Sequence, residues 1–131
     1  MGEAIKLTIL TPEKQFFKGE VTSVKTEGID GGFEVLSNHM SMVSILGPGV
    51  TEFTDKDNKE YKAFTSDGVL KVHNNEISIL CESCEWPEEI DVNRAEAALN
   101  RAKKRLESKD NIDVLRAELA LQKSVARLKL K

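Results

Sequence analysis

Over most of the first 86 positions, apolar and polar residues alternate with a period of two. Ile5, Leu7 and Ile9 alternate with Lys6 and Thr8, and Thr11-Pro12 ends the run. Val21 and Val24 follow Gly19, and Gly28-Ile29-Asp30-Gly31-Gly32 reads as a turn or loop. Val43 and Ile45 alternate before Gly47-Pro48-Gly49, and Asp55-Lys56-Asp57-Asn58 is a polar turn ahead of Tyr61–Phe64. Ser66-Asp67-Gly68 precedes an apolar run at 69–72, and His73-Asn74-Asn75 precedes another at 77–80. Short period-two segments separated by turn residues predict a β-sandwich or barrel.

The period changes after Pro87. Val92, Ala95, Leu99, Ala102 and Leu106 follow helical spacing, and so do Val114, Ala117, Leu121, Ser124 and Leu128. The two stretches are copies: from Ile90–Leu106 against Ile112–Leu128, ten of seventeen positions are identical. Asp91 and Asp113 stand at the N-cap positions, each behind an Ile able to pack on the first turn. Ser108-Lys109-Asp110-Asn111 breaks the pattern between them. Each copy predicts a helix of about 17 residues, about 25 Å long, and the short connection makes them antiparallel. The fold class is therefore α+β, with a β domain over 1–86 and a helical hairpin over 87–131.

The hairpin's Ala-rich seam buries little apolar area, and such a unit alone is marginal. The second helix carries a further apolar stripe, Leu115, Leu119, Ala126 and Leu130, which one seam cannot cover. The hairpin is therefore expected to dock on its own β domain, on another protein, or on each in turn. Both copies also keep a basic register: Arg94, Arg101 and Arg105 recur as Arg116, Lys123 and Arg127. A solvated face is the ordinary account of such a stripe; its retention in both copies argues for a partner.

Charge is divided the same way. Residues 87–131 hold eleven Lys/Arg against eight Asp/Glu, and residues 1–86 hold eight against fourteen. The tail can attract an acidic partner or a nucleotide but is too weakly basic for a nucleic-acid binder. No apolar run approaches the roughly 18 residues needed to span a bilayer, and no signal-peptide or myristoylation pattern opens the chain. Cys81 and Cys84 form one Cys-x-x-Cys at the end of an expected strand, with no second pair to complete a zinc site. A buried structural role in a reducing compartment is the expectation, and a redox role stays open. No phosphate-binding loop, triad or acid–base pair is visible, so no metal, obligatory cofactor or catalysis is expected.

Several phrases together resemble a family. They are Leu7-Thr8-Ile9-Leu10-Thr11-Pro12, Gly19-Glu20-Val21-x-x-Val24, the run from Asp30-Gly31-Gly32-Phe33-Glu34-Val35-Leu36 to Ser37-Asn38-His39, Asp67-Gly68-Val69-Leu70-Lys71-Val72, and Ile90-Asp91-x-x-Arg94-Ala95. In order and spacing the chain resembles, over essentially its whole length, the epsilon subunit of bacterial F-type ATP synthases, equivalent to the mitochondrial delta subunit.

That resemblance implies a ten-stranded β-sandwich followed by an antiparallel two-helix hairpin. It implies a non-catalytic rotor-stalk subunit that couples ion flow through the c-ring to ATP synthesis, with the gamma subunit, the c-ring and an acidic segment of the beta subunit as partners. Localisation would be peripheral, on the cytoplasmic face of the bacterial cell membrane, held there only through the complex. Ring and gamma contacts are implied at Asp30, Gly31, Gly32, Glu34, His39, Met40 and Met42, and beta contacts at the basic residues Lys103, Lys104, Arg105 and Arg116. The hairpin would leave the enzyme free when folded down and restrain ATP hydrolysis when extended. In some relatives the Ile/Leu-Asp-x-x-Arg-Ala phrase binds regulatory ATP, which implicates Glu85, Ile90, Asp91, Arg94, Ala95, Arg101, Lys123 and Arg127. Lys123 stands where strong binders carry Arg; it keeps the charge without the planar fork. The family's Gly-Val-Leu-Pro reads Glu34-Val35-Leu36-Ser37 here. A free-standing nucleotide-responsive module without rotary coupling is the alternative function.

Overall fold

The computed structural model describes residues 4–28, 31–37, 41–107 and 113–130. Nine strands precede two helices among them: β1 (Ile5–Leu10), β2 (Gln15–Gly28), β3 (Gly31–Leu36), β4 (Met42–Leu46), β5 (Gly49–Asp55), β6 (Glu60–Thr65), β7 (Gly68–His73), β8 (Glu76–Cys81), β9 (Cys84–Glu85), α1 (Val92–Glu107) and α2 (Val114–Leu130). The α+β class and the sandwich-then-hairpin order stand. The strands number nine among the described residues, and β2 runs unbroken for fourteen residues. Its first half pairs antiparallel with β1 and its second half with β3, while β5 pairs with it along the middle. A register shift between Val21 and Ser23 turns it from one layer to the next.

β1 and β8 pair in parallel, so the sandwich's first and last long strands are neighbours. β8 reaches β7 through a two-residue hairpin. His73 pairs with Glu76, and Asn74 and Asn75 both take positive φ, as a primed turn requires. Between the layers lie Ile5, Leu7, Ile9, Val21, Val24, Val35, Leu46, Phe53, Leu70, Ile77 and Ile79, all fully buried. The alternation of β1 and β8 is the cause: one face of each is apolar, and that face is inside.

At one end Phe16 stacks on Trp86 at 4.3 Å between ring centroids, with Phe17, Phe53 and Tyr61 around them. Trp86 opens the connection to the hairpin. Its N–H donates to Glu89 at 2.9 Å across the short 3-10 turn Pro87–Glu89. The hairpin's root is thereby tied to the sandwich core.

The hairpin forms as its repeat predicts. Asp91 Oδ1 accepts from the Arg94 N–H and Asp113 Oδ1 from the Arg116 N–H, both at 3.1 Å. Ala95 and Ala102 face Ala117 and Ser124 in a seam of small buried residues. Ile90 is buried with Phe64 and Ala126, with Leu130 against them. Ile112, the other expected staple residue, lies outside the described residues, as does the break at 108–111. α2 lies on β5 and β6. The further stripe is consequently divided: Ala126 and Leu130 dock, whereas Leu115 is 75% exposed.

Candidate functional site

The contact between α2 and the sandwich brings together five charged side chains. On the sandwich side they come from two adjacent turns. Asp67 lies in the turn before β7; Glu82 lies between β8 and β9, and Glu85 ends β9. The turns are bonded to each other: the Ser66 N–H donates to the Ser83 carbonyl at 3.0 Å, the Glu82 N–H to the Asp67 carbonyl at 3.2 Å, and the Ser83 N–H to Ser66 Oγ at 2.8 Å. Gly68 permits this approach, since a Cβ there would strike the Leu80 carbonyl and Cys81.

On the helix side stand Lys123 and Arg127, one turn apart. Lys123 Nζ lies 3.4 Å from Asp67 Oδ1, a buried atom, and 3.9 Å from Glu82 Oε2. The Arg127 Nε–H donates to Glu85 Oε1 at 2.5 Å, and its guanidinium lies 4.4 Å above the Phe64 ring centre. Lys123, Arg127 and Glu85 are each about three-quarters withdrawn from water. Cation–π and charge-assisted contacts gain strength from that partial desolvation.

The sequence-derived nucleotide residues are thus treated unequally. Glu85, Lys123 and Arg127 converge at this contact, and Ile90 packs beside it. Ala95 is buried in the helix seam, and Asp91 is the N-cap of α1. Arg94 and Arg101 are exposed on α1, in line with each other at a spacing of seven. The basic register that looks continuous in the sequence is therefore split. Lys123 and Arg127 are engaged by carboxylates, while Arg94, Arg101, Lys103, Lys104, Arg105 and Arg116 face water. Sequence reasoning missed Asp67 and Glu82 as members of the cluster. Their signal, acids beside turn glycine and serine, does not reveal which helix they face.

The implied partner contacts fall elsewhere. Gly31, Gly32 and Glu34 are exposed on β3 and Met42 is half-buried on β4; Asp30, His39 and Met40 lie outside the described residues. A second surface comes from the register rather than from motifs. Ile45 pairs with Val69, Val69 with Leu80, and Leu80 with Leu10, which puts four apolar side chains in one row across β4, β7, β8 and β1. Ile45 is 59% exposed and Leu80 54%, and Val43 beside Ile45 is 67% exposed. The alternation of β4 was legible in the sequence, but its two β-branched residues point outward.

Residues 4–87 match the family described as ATP synthase, delta/epsilon chain, beta-sandwich domain, and residues 88–131 match its long alpha-helix domain. The chain belongs to the ATP synthase delta/epsilon chain family. It is 49% identical over 131 residues to an ATP synthase epsilon chain of Clostridium botulinum, covering 100% of this chain and 98% of that one. It is 52% identical over 110 residues to an ATP synthase epsilon chain of Clostridium kluyveri, covering 84% of this chain and 83% of that one. Among solved structures, a chain of the Euglena gracilis mitochondrial ATP synthase superposes with a TM-score of 0.85 at 24% identity, over 96% of this chain and 79% of that one. A chain from the central stalk and c-ring of the Tetrahymena thermophila enzyme superposes at 0.61 with 14% identity, over 98% and 94%. These two show the shared fold. No helix of the described residues is long and apolar enough to cross a membrane.

Proposed function

We propose that this chain is the non-catalytic epsilon subunit of a bacterial ATP synthase, a central-stalk subunit whose sandwich couples rotation and whose hairpin governs ATP hydrolysis. The observation that carries the reading is the likeness to a named epsilon chain at 49% identity across all 131 residues, hairpin included. The gamma subunit, the c-ring and the beta subunit are the partners. The row of half-buried Leu10 with exposed Ile45, Val69 and Leu80 supports a docked life for the sandwich, since contiguous apolar surface on one face marks an interaction site. Localisation on the cytoplasmic side of the cell membrane follows from that assembly.

The hairpin described here is folded down. In that position Lys123 and Arg127 are held by Asp67, Glu82 and Glu85. Extension releases both cations and lets them join Lys103, Lys104, Arg105 and Arg116 in facing an acidic beta segment. ATP is the regulatory ligand that the Ile90-Asp91-x-x-Arg94-Ala95 phrase suggests. Exposed Arg94 and Arg101 can meet a phosphate group, and Ile90 just ahead of α1 packs with Ala126, the neighbour of Arg127 in α2. A triphosphate engaging Arg127 competes with Glu85 for the same donor.

Three measurements test the reading. Capture of the chain by purified gamma subunit is the expected result; no capture removes the coupling role. ATP hydrolysis by the whole enzyme is expected to rise when residues 88–131 are deleted, and an unchanged rate shows that the hairpin is not a brake. Calorimetric titration of ATP onto the chain is expected to give saturable heat that Arg94→Ala weakens. No heat at millimolar ATP confines regulation to the beta contact.

A further inference from the structure

The Cys81 and Cys84 sulfurs are 2.7 Å apart and unbonded. Both are buried, 5% and 7% exposed, at the junction of β8 and β9. A disulfide needs about 2.05 Å between sulfurs, so closure requires a movement of well under an ångström. The intervening Glu82-Ser83 turn is pinned to the 66–67 turn by three hydrogen bonds, which holds the two thiols facing each other. Packing alone asks only for two small apolar groups here, and it does not call for two thiols in line.

We propose that Cys81 and Cys84 form a reversible dithiol–disulfide site whose oxidant is a low-molecular-weight disulfide. The Cys81 thiolate attacks one sulfur of the oxidant RS–SR; that S–S bond breaks and one RS⁻ leaves. Cys84 then attacks the Cys81 sulfur of the mixed disulfide, the second RS⁻ leaves, and the internal bond forms. Two electrons pass from the dithiol to the oxidant, and the two thiol protons end on two RSH. Either sulfur can donate in this contact; bonding to Cys84 lowers the Cys81 pKa, while the same bond and burial raise that of Cys84. The exchange balances equally with Cys84 as the first nucleophile and Cys81 as the second. The bond closes the turn that presents Glu82 and ends at Glu85, the carboxylates facing Lys123 and Arg127. The site does not depend on the rotor-stalk reading.

The test uses the full chain in mixtures of oxidised and reduced glutathione, held until composition is constant, quenched in acid, unfolded and alkylated. Intact mass is expected to show a species two hydrogens lighter with neither thiol alkylated, returning to the doubly alkylated form in excess reduced glutathione. Cys84→Ser, or Cys84→Ala if the first variant does not fold, is expected to stop at one glutathione adduct. Two alkylated thiols in every mixture, or only glutathione adducts on the unmutated chain, overturn the proposal.

Discussion

The Arg127 guanidinium lies 4.4 Å from the Phe64 ring centre while its Nε–H is given to Glu85, so one side chain ties α2 to both the outer face of β6 and the end of β9. Neither contact alone fixes a guanidinium, and the two together do. Charge-assisted hydrogen bonds contribute about 1.5–3 kcal/mol when partly shielded. Arg127→Ala is expected to speed amide exchange across α2 by roughly tenfold to a hundredfold, leaving β1 and β8 unchanged. Arg127→Lys is expected to recover only part of this, because it retains charge and loses the planar group. Unaltered α2 exchange in Arg127→Ala would show that the apolar contacts of Ala126 and Leu130 hold the hairpin unaided.

Lys123, itself mostly withdrawn from water, reaches from buried Asp67 Oδ1 to Glu82, whose side chain is 67% exposed at the edge of the same contact. Such pairs are screened once the Debye length falls toward about 3 Å near 1 M salt. Raising salt from low to molar ionic strength is expected to loosen α2 by hydrogen exchange, and Lys123→Gln is expected to flatten that dependence. An identical slope in Lys123→Gln removes these pairs as its source.

Asp55 organises the connection from β5 to β6. Its Oδ1 accepts from the Asp57 and Lys59 N–H groups at 2.9 Å, and its Oδ2 accepts from the Tyr61 hydroxyl at 3.3 Å. The Lys59 backbone bond leads in holding its carboxyl below the ordinary value of 3.8, and desolvation opposes it. A depressed folded pKa means that the stability is complete above 3.8 and is lost as pH falls through the lower folded value. Urea midpoints of the unmutated chain are expected to drop more steeply below pH 4 than those of Asp55→Asn. Parallel curves would show that the loop's backbone geometry does not need the charge.

Ile45 makes a surface prediction. It is 59% exposed at the end of the apolar row. Exposed substitutions away from special features change stability by about 0.5 kcal/mol or less. Ile45→Ser is expected to leave the melting midpoint nearly unchanged while weakening capture by gamma. Full capture with Ile45→Ser and Val69→Ser together would assign gamma docking to another face.

Where one physical signal dominated, the fold was open to reading from residues. Asp91 and Asp113 declared two helix starts, and the backbone bonds to Arg94 and Arg116 are there. Ile5, Leu7 and Ile9 declared an inward face, and Asn74-Asn75 a tight turn. β5 escaped because Gly49-Val50-Thr51-Glu52-Phe53 buries threonine rather than a plain apolar set. Its Thr51 hydroxyl bonds Thr26 at 2.9 Å and Thr65 at 2.8 Å inside the sandwich. Of β2 only Val21 and Val24 after Gly19 stood out, whereas the strand begins at Gln15 and passes through Gly19 with Phe17 packed over it. In the site, the cations were found by their repeat. The acids that meet them were not, because opposite charges that meet across 40 or more positions leave no local pattern; Glu85 and Arg127 are 42 apart.

The parallel pairing of β1 with β8 has a consequence for how the chain is made. All the long strands are in hand once residue 81 has been synthesised, before either helix exists. Because domains close as units during synthesis, the nascent sandwich can complete its core while the hairpin is still inside the ribosome. The hairpin emerges later, settles on a finished surface, and can leave it again without unravelling what was built first.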